Sequence, residues 1–331
     1  MVPAITLPNR RLTTALGFGS ASLMRLPDAG DRQRLLDLAV DLGIRHFDTA
    51  RLYGLGQVEA EIGALLRRHP GQLTVATKCG LGEAQPPSAA VQRQGGLRRL
   101  LKLAPGLRPL ARRIYGSRLV RRDFSVAHCR RSLETSLVQL GLEAVDLLLL
   151  HEPGPADVVD PAMEASLQDW QRQGLIGGYG ISGLAGPTLP LWRQRPGLAS
   201  QVLQWEDVML DPQPLAQRPV MQAPQLSGRF GRIRRSLQPI QQAFAAVPQL
   251  QRHWSDRLNL NLAEPNALVA ALLGAALAAY PADLLLFAST DPDRLRRIVC
   301  LLHSPPWEAE EAIAFEHFWR PPVDPAPPPC P

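Results

Sequence analysis

Short apolar runs alternate along the chain with longer segments whose apolar residues recur at helical spacing. In segment 31–42 leucine and alanine side chains recur every three or four positions, and Gly43 follows where a helix commonly ends in a left-handed residue. The run VDLLLLH, residues 145–151, is apolar almost throughout, as expected of a strand buried on both faces. The predicted strands are 16–20, 44–48, 73–78, 145–151, 177–182, 201–205, a weaker one at 218–223, and 283–289. The predicted helices are 31–42, 58–68, 125–141, 161–174, 263–280 and 291–302.

This alternation favours an α/β fold in which eight parallel strands form a (β/α)8 TIM barrel surrounded by helices. A doubly wound sheet is the alternative, but GFGSAS at 17–22 lacks the third glycine of a dinucleotide-binding turn. We expect one barrel domain over residues 1–320. Its insertions at 81–124 and 224–262 are predicted to form long loops after strands 3 and 7, on the face where barrels bind ligands. Residues 321–331 are predicted to be an extended proline-rich tail.

Composition narrows the functional classes. The chain has 331 residues, of which 45% are hydrophobic, so it is long enough to bury a large core. The N-terminus lacks the basic start and apolar stretch of a signal peptide, and no apolar window reaches the roughly 20 residues that span a bilayer. We therefore expect a cytoplasmic protein without a membrane span. The four cysteines are scattered and form no CxxC pair, which argues against a zinc site or a disulfide framework.

Positive charge is concentrated in one segment. The formal net charge is +6, and residues 84–122 hold ten Arg or Lys and no acidic residue. This segment is either a solvated basic loop or a surface for an anionic partner, which we place at 91–122. Aromatic residues make up only 5% of the chain, so the composition indicates no platform for stacking nucleic-acid bases.

Polar side chains end three consecutive predicted strands. Asp48, Lys78 and His151 stand at these ends, and Tyr53 lies in the loop after the first of them. Because neighbouring strands are about 4.8 Å apart, all four are expected to meet at the mouth of the barrel. A neighbouring ammonium is expected to lower the pKa of Tyr53, and Asp48 is expected to keep that ammonium charged. Such a site suits proton transfer to a carbonyl oxygen, while a nicotinamide cofactor must supply the hydride.

Three segments surround these four residues: FDTARLYG at 47–54, continued by Gly56 and Glu59, the TK pair at 77–78, and residues 123–153, which lead to His151. All three resemble motifs of the aldo-keto reductases. The resemblance implies a barrel enzyme that uses NADP(H) to interconvert a small carbonyl or sugar substrate with its alcohol or lactone. It implies Tyr53 as general acid/base, with Lys78 and Asp48 tuning it. His151 would then position the substrate.

The same resemblance implies a set of cofactor contacts. The set is Gly19, Ser20, Ser182, Gln204, Pro224, Leu226, Ser289 and Arg294. Residues 223–229 resemble the family's pyrophosphate-covering loop, and 288–298 resemble its adenine-phosphate segment. Ser289 would lie near a helix N-terminus, where anions are favoured. Arg294 and Arg297 are expected to favour a 2′-phosphate, and hence NADP over NAD.

Some positions depart from the family pattern. Gly183 stands where an asparagine usually holds the nicotinamide carboxamide, and Gln222 stands near the usual strand-seven aromatic. Arg297 and Ile298 replace the usual acid–amide pair. These departures leave two alternatives open, namely an NADP(H)-binding sensor without turnover and a scaffold protein that works through its basic insertion. The complete polar quartet favours the enzyme, because a pure binder does not need a lysine beside a tyrosine.

Overall fold

Eight parallel strands close into a barrel in the computed structural model, which describes residues 2–83, 120–154, 156–210 and 225–320. The strands are β1 (Leu16–Gly19), β2 (His46–Asp48), β3 (Thr74–Cys79), β4 (Leu147–His151), β5 (Tyr179–Gly183), β6 (Val202–Glu206), β7 (Leu226–Phe230) and β8 (Leu284–Phe287). Each strand pairs in parallel with the next along the chain, and β8 pairs with β1 to close the cylinder. The predicted (β/α)8 barrel is therefore confirmed.

Helices surround this barrel. They are α1 (Ala29–Asp41), α2 (Val58–Arg68), α3 (Val126–Leu140), α4 (Met163–Arg172), α5 (Ala185–Gln194), α6 (Arg232–Ala246), α7 (Pro248–Arg257), α8 (Pro265–Ala279), α9 (Pro292–His303) and α10 (Ala309–Trp319). The six predicted helices are present within a few residues of their predicted bounds. The capping residues of α3 show why its bounds could be predicted from the sequence. The Ser125 hydroxyl accepts a hydrogen bond from the His128 N–H, and Gly141 ends the helix at a φ of 68°.

The core explains the two most apolar segments of the chain. All five residues of β4 are buried between the barrel interior and the helical layer. Helix α8 has no polar face, and eleven of its fifteen residues are buried because α9 and α10 pack against it. Among the described residues, no helix combines the length and apolarity needed to cross a membrane.

The seventh strand lies later in the chain than predicted. Residues 218–223 fall outside the described residues, and the barrel strand is β7, which pairs with β6 from Leu226 onward and with β8 from Gly228. The residues assigned to an insertion at 224–262 thus include a barrel strand, and α6 and α7 follow it. The sequence pattern concealed β7 because Arg229 interrupts it. This arginine is buried because its guanidinium pairs with Asp283 and Asp207 and stacks over the ring of Tyr280.

The first insertion begins as a hairpin. After β3, residues Leu81–Glu83 pair antiparallel with Val120–Arg122, which brings the chain back to the start of α3. The basic residues between these two strands lie outside the described residues, as does the tail at 321–331. A second hairpin, Ala4–Thr6 with Leu12–Thr14, precedes the barrel.

Candidate active site

The carboxyl ends of β2, β3 and β4 bring three of the predicted residues to the mouth of the barrel. Asp48 is the last residue of β2, Lys78 is the penultimate residue of β3, and His151 ends β4. All three side chains are buried. Tyr53 enters from the loop after β2, whose residues 54–56 all have positive φ angles of 57° to 79°. This tight turn returns the chain toward the barrel axis, so the structure brings all four predicted residues together.

Lys78 is the centre of the cluster. Its ammonium donates hydrogen bonds to a carboxylate oxygen of Asp48, to the Thr49 carbonyl at 3.0 Å and to the Tyr53 hydroxyl at 3.3 Å. These three acceptors match the three hydrogens of the ammonium. Burial disfavours the charged form, but Asp48 and Tyr53 outweigh it and raise the pKa of Lys78 above its ordinary value. The lysine is therefore held as a cation beside the phenol.

The pKa of Tyr53 differs from the expectation in its net direction. Burial raises its pKa, and the Lys78 ammonium lowers it, while the Asp48 and Glu152 carboxylates raise it further. Lys78 thus lowers the pKa of Tyr53 as predicted, but the net shift is upward because desolvation outweighs the lysine. The phenol carries its proton at neutral pH and can act as a hydrogen-bond donor.

His151 faces Tyr53 across the cluster. The two rings meet edge to face, with centroids 5.7 Å apart. Burial, together with the positive charges of Lys78 and Arg122, lowers the pKa of His151 to about 3, so the imidazole is neutral at physiological pH. Its Nδ1 atom is buried and has no hydrogen-bond partner among the described residues. A neutral ring that lines the cavity fits the predicted role of orienting a substrate.

A second chain of hydrogen bonds reaches Asp48 from the opposite side of the barrel. The Gln204 side-chain amide donates to Asp48 Oδ2 at 3.0 Å, and the Ser182 hydroxyl donates to the Gln204 carbonyl oxygen. Ser182 and Gln204 were predicted as cofactor contacts, and both are buried at the mouth. Their link to Asp48 could not be predicted from the sequence, because it depends on the pairing of β5 with β6 and on closure of the barrel.

A cavity of about 440 Å³ opens above this network. Six of the predicted site residues line it: Gly19, Asp48, Tyr53, His151, Ser182 and Gln204. Apolar walls come from Leu52 and Leu81, and charged groups come from Arg25 and Glu152. The mixture of an apolar wall and a few convergent polar groups is typical of a small-molecule site.

Other predicted cofactor residues lie elsewhere. The Ser20 hydroxyl is fully buried and donates to the Asp48 carbonyl at 2.7 Å, so it supports the strand end rather than facing the cavity. Leu226 is buried at the start of β7, the end remote from the mouth, so its predicted place in a pyrophosphate loop is wrong. Pro224 falls outside the described residues.

The predicted phosphate segment lies at the start of α9. The Ser289 hydroxyl accepts a hydrogen bond from the Asp291 N–H at 3.1 Å. The Asp291 carboxylate accepts from the N–H groups of Asp293 and Arg294 and therefore already caps this helix. Arg294 Nε is buried without a partner among the described residues. Neither Ser289 nor Arg294 lines the cavity.

Residues 230–234 line the cavity and were not predicted. Phe230 is the aromatic residue at the end of β7, a position that the sequence analysis gave to Gln222. Gly231 follows with a φ of 75°, and α6 begins with no acidic residue in its first turn. A glycine between an aromatic residue and a basic helix start was the available signal, and the misplaced strand concealed it.

A buried charge network fixes the start of α6. The Arg232 guanidinium pairs with Asp207 at 2.5 Å and with Glu316 at 2.7 Å. Arg320 pairs with the same two carboxylates, each within 2.9 Å. These arginines lower the pKa of Asp207 far below its ordinary value despite burial, which raises it. The network ties α10 to the loops around the cavity.

Glu59 explains another part of the matching motif. Its buried carboxylate accepts from the Thr77 hydroxyl and from the Arg51 guanidinium, both at 2.6 Å. Thr77 precedes Lys78 in β3, and Arg51 lies two residues before Tyr53. Glu59 therefore links the loop that carries the tyrosine to the strand that carries the lysine.

The protein is thus a parallel (β/α)8 barrel whose mouth holds a lysine–aspartate ion pair in contact with a tyrosine hydroxyl. Residues 15–188 match the model of the Aldo/keto reductase family, and the chain belongs to that family. It is 31% identical over 188 residues to D-threo-aldose 1-dehydrogenase of a Pseudomonas species, a match covering 53% of this chain and 51% of that protein. It is 34% identical over 146 residues to pyridoxal 4-dehydrogenase of Microbacterium luteolum, covering 43% and 40%.

Solved structures extend the likeness over nearly the whole chain. An aldo-keto reductase from Bacillus halodurans in its holo form superposes with a TM-score of 0.67, at 20% identity and 96% coverage of both chains. An aldo-keto reductase from Klebsiella pneumoniae in complex with NADPH gives 0.60, at 16% identity, covering 97% of this chain and 96% of that one. These matches show the shared fold, whereas the sequence match spans about half the length of the curated relatives.

Proposed function

We propose that this protein is an NADP(H)-dependent oxidoreductase that transfers hydride between nicotinamide and the carbonyl, alcohol or lactol carbon of a small substrate. The observation that carries the proposal is the Lys78 ammonium, which contacts both Asp48 and the Tyr53 hydroxyl beside a small cavity. The relatives named as aldose and pyridoxal dehydrogenases support carbonyl or sugar chemistry.

The residues at the mouth fit a nicotinamide dinucleotide. Ser182 and Gln204 place a hydroxyl and an amide on the cavity wall, and Phe230 places an aromatic ring at the end of β7. The first turn of α6 has no side-chain cap and no acidic residue, which suits the anionic part of a dinucleotide. The NADPH-bound relative from Klebsiella pneumoniae supports the choice of cofactor. The bound cofactor supplies the hydride.

The protein's own residues manage the proton. In the reducing direction the substrate oxygen takes the Tyr53 hydroxyl proton as negative charge develops on that oxygen. The Lys78 ammonium, 3.3 Å away, stabilises the tyrosinate that remains, and Asp48 keeps the ammonium in place. His151, neutral and facing Tyr53, orients the carbonyl oxygen. In the oxidising direction the same groups return the proton to Tyr53.

The test is NADPH consumption with a panel of small aldehydes and aldoses, comparing wild type with Tyr53→Phe. We expect turnover to fall by about 10²- to 10⁴-fold, the usual contribution of a general acid, while the Kd for NADPH stays close to wild type. Equal rates in the two proteins would remove Tyr53 from the chemistry. Quenching of NADPH fluorescence without turnover in wild type would favour the sensor, an alternative that Phe230 weakens by restoring an aromatic residue to β7.

Two further expectations remain predictions. The anionic partner proposed for residues 91–122 involves a segment outside the described residues. Preference for NADP over NAD depends on Arg294 and Arg297, and it would appear as a lower Kd for NADPH than for NADH. A salt-sensitive partner lost on deletion of 91–122, with turnover retained, would support the first of these two predictions.

A further inference from the structure

Glu152 follows His151 directly and lines the cavity. We infer that its carboxylate selects the substrate, favouring carbonyl compounds that carry a hydroxyl or ammonium donor near the reacting carbon and rejecting those that carry a carboxylate there. This inference rests on the proposed oxidoreductase function and adds the substrate class that the site accepts.

The backbone holds Glu152 in an unusual conformation. Its φ is +49°, a region that residues with a side chain rarely adopt and that costs about 1 kcal/mol or more. Two hydrogen bonds of 2.6 Å fix it: its N–H donates to the Ser182 carbonyl, and its carbonyl accepts from the Arg122 guanidinium. Arg122 is in turn paired with Asp157. Glu152 is therefore fixed by its neighbours at the rim of the site.

Its carboxylate differs from the other acid in the cavity wall. Asp48 is satisfied by Lys78 and by Gln204. Glu152 is half-buried, and its carboxylate has no hydrogen bond or ion pair to any residue in the described part of the chain. A carboxylate in a small cavity that has no partner among the described residues can bind a donor on a ligand, and such charge-assisted hydrogen bonds are the strong ones.

Glu152 and Tyr53 line the same cavity. The Glu152 carboxylate is also one of the smaller contributions that raise the pKa of Tyr53. A substrate carboxylate there would meet a like charge, which disfavours binding. A hydroxyl or an ammonium would meet an acceptor.

The test compares propanal with three derivatives that carry a hydroxyl, an ammonium or a carboxylate on the carbon farthest from the aldehyde. Kinetics are measured for wild type, Glu152→Gln and Glu152→Gly. Glycine tolerates the positive φ, so the second variant removes the carboxylate without added backbone strain. We expect the kcat/KM ratio of the hydroxyl or ammonium derivative to the carboxylate derivative to fall about tenfold or more in both variants. The exposed Glu143→Gln is the matched control and is expected to keep the wild-type ratio.

The outcomes separate the two proposals. If kcat/KM falls more for the ammonium derivative than for the hydroxyl derivative, charge decides the selection. If it falls equally for both, hydrogen bonding decides it. We also expect the alkaline limb of the pH profile to move to lower pH in Glu152→Gln, because one charge that raises the pKa of Tyr53 is gone. Unchanged ratios in both variants, with propanal turnover still dependent on Tyr53, would overturn the role of Glu152 alone. Turnover independent of Tyr53 would overturn the proposed function itself.

Discussion

Removing one partner of the buried Lys78–Asp48 ion pair should lower the free energy of unfolding at least as much as removing both partners together. In Asp48→Asn the Lys78 ammonium, only 2% exposed, loses the negative charge that pairs with it and faces neutral acceptors such as the Thr49 carbonyl and the Tyr53 hydroxyl. An uncompensated buried charge costs about 3–5 kcal/mol, so we expect that loss in the free energy of unfolding. Lys78→Met leaves the Asp48 carboxylate buried without its cation and is expected to lower the free energy of unfolding by a similar amount. The double variant removes both charges and should cost no more than either single variant.

The assay is equilibrium urea unfolding of the four proteins at neutral pH, analysed as a double-mutant cycle. The expected coupling free energy is about 3 kcal/mol or more. The exposed pair of Arg34 and Asp31 is the control, since a surface pair contributes at most about 1 kcal/mol. Losses from Asp48→Asn and Lys78→Met that simply add would refute the buried pair, and with it the charged lysine on which the proton-transfer account depends.

Three other changes test neighbouring parts of the structure. Gly183→Ala should lower the unfolding free energy by about 1–3 kcal/mol, because its Cβ would lie 2.2 Å from the Thr188 hydroxyl oxygen, and Thr188→Ala should restore most of the loss; no rescue would contradict that contact. Glu316→Gln should cost about 3–5 kcal/mol in urea unfolding, since it removes a negative charge that pairs with two buried arginines, and a loss below about 1 kcal/mol would argue against the network. Burial lowers the pKa of His46 to about 4 and of His151 to about 3, so the unfolded chain binds more protons below pH 6.5. Stability is therefore expected to fall as pH drops from 6.5 toward 4 for His46 and toward 3 for His151, by up to about 1.4 kcal/mol per unit for each group, and a flat profile would be inconsistent with two buried neutral imidazoles.

Much of the barrel could be predicted because many of its helices and strands have a signal in their own local sequence. Helix α3 has a serine cap and a terminal glycine, and β4 is a continuous apolar run, so each is recognisable without its neighbours. Strand β7 could not be recognised in this way. Its Arg229 is stabilised by carboxylates distant in sequence, so its burial is a tertiary effect that no local pattern shows.

The same distinction between sequence signals and tertiary effects applies to the candidate site. Asp48, Lys78 and His151 were predictable because strand ends of a barrel converge at one mouth. The direction of the Tyr53 pKa shift was not, since it depends on how far burial outweighs the lysine. The position of Glu152, whose carboxylate has no partner among the described residues, was also hidden, because it follows from a backbone angle and from hydrogen bonds of its main chain that no sequence pattern specifies.

The most direct test of the account follows deuterium from NADPH labelled at the transferable position of the nicotinamide. Wild-type protein is incubated with an aldehyde that it turns over, and the product is analysed by mass spectrometry. The account predicts one deuterium on the new alcohol carbon, formed at least about 100-fold more slowly by Tyr53→Phe. An unlabelled product, or equal labelling rates in the two proteins, would contradict hydride transfer assisted by Tyr53.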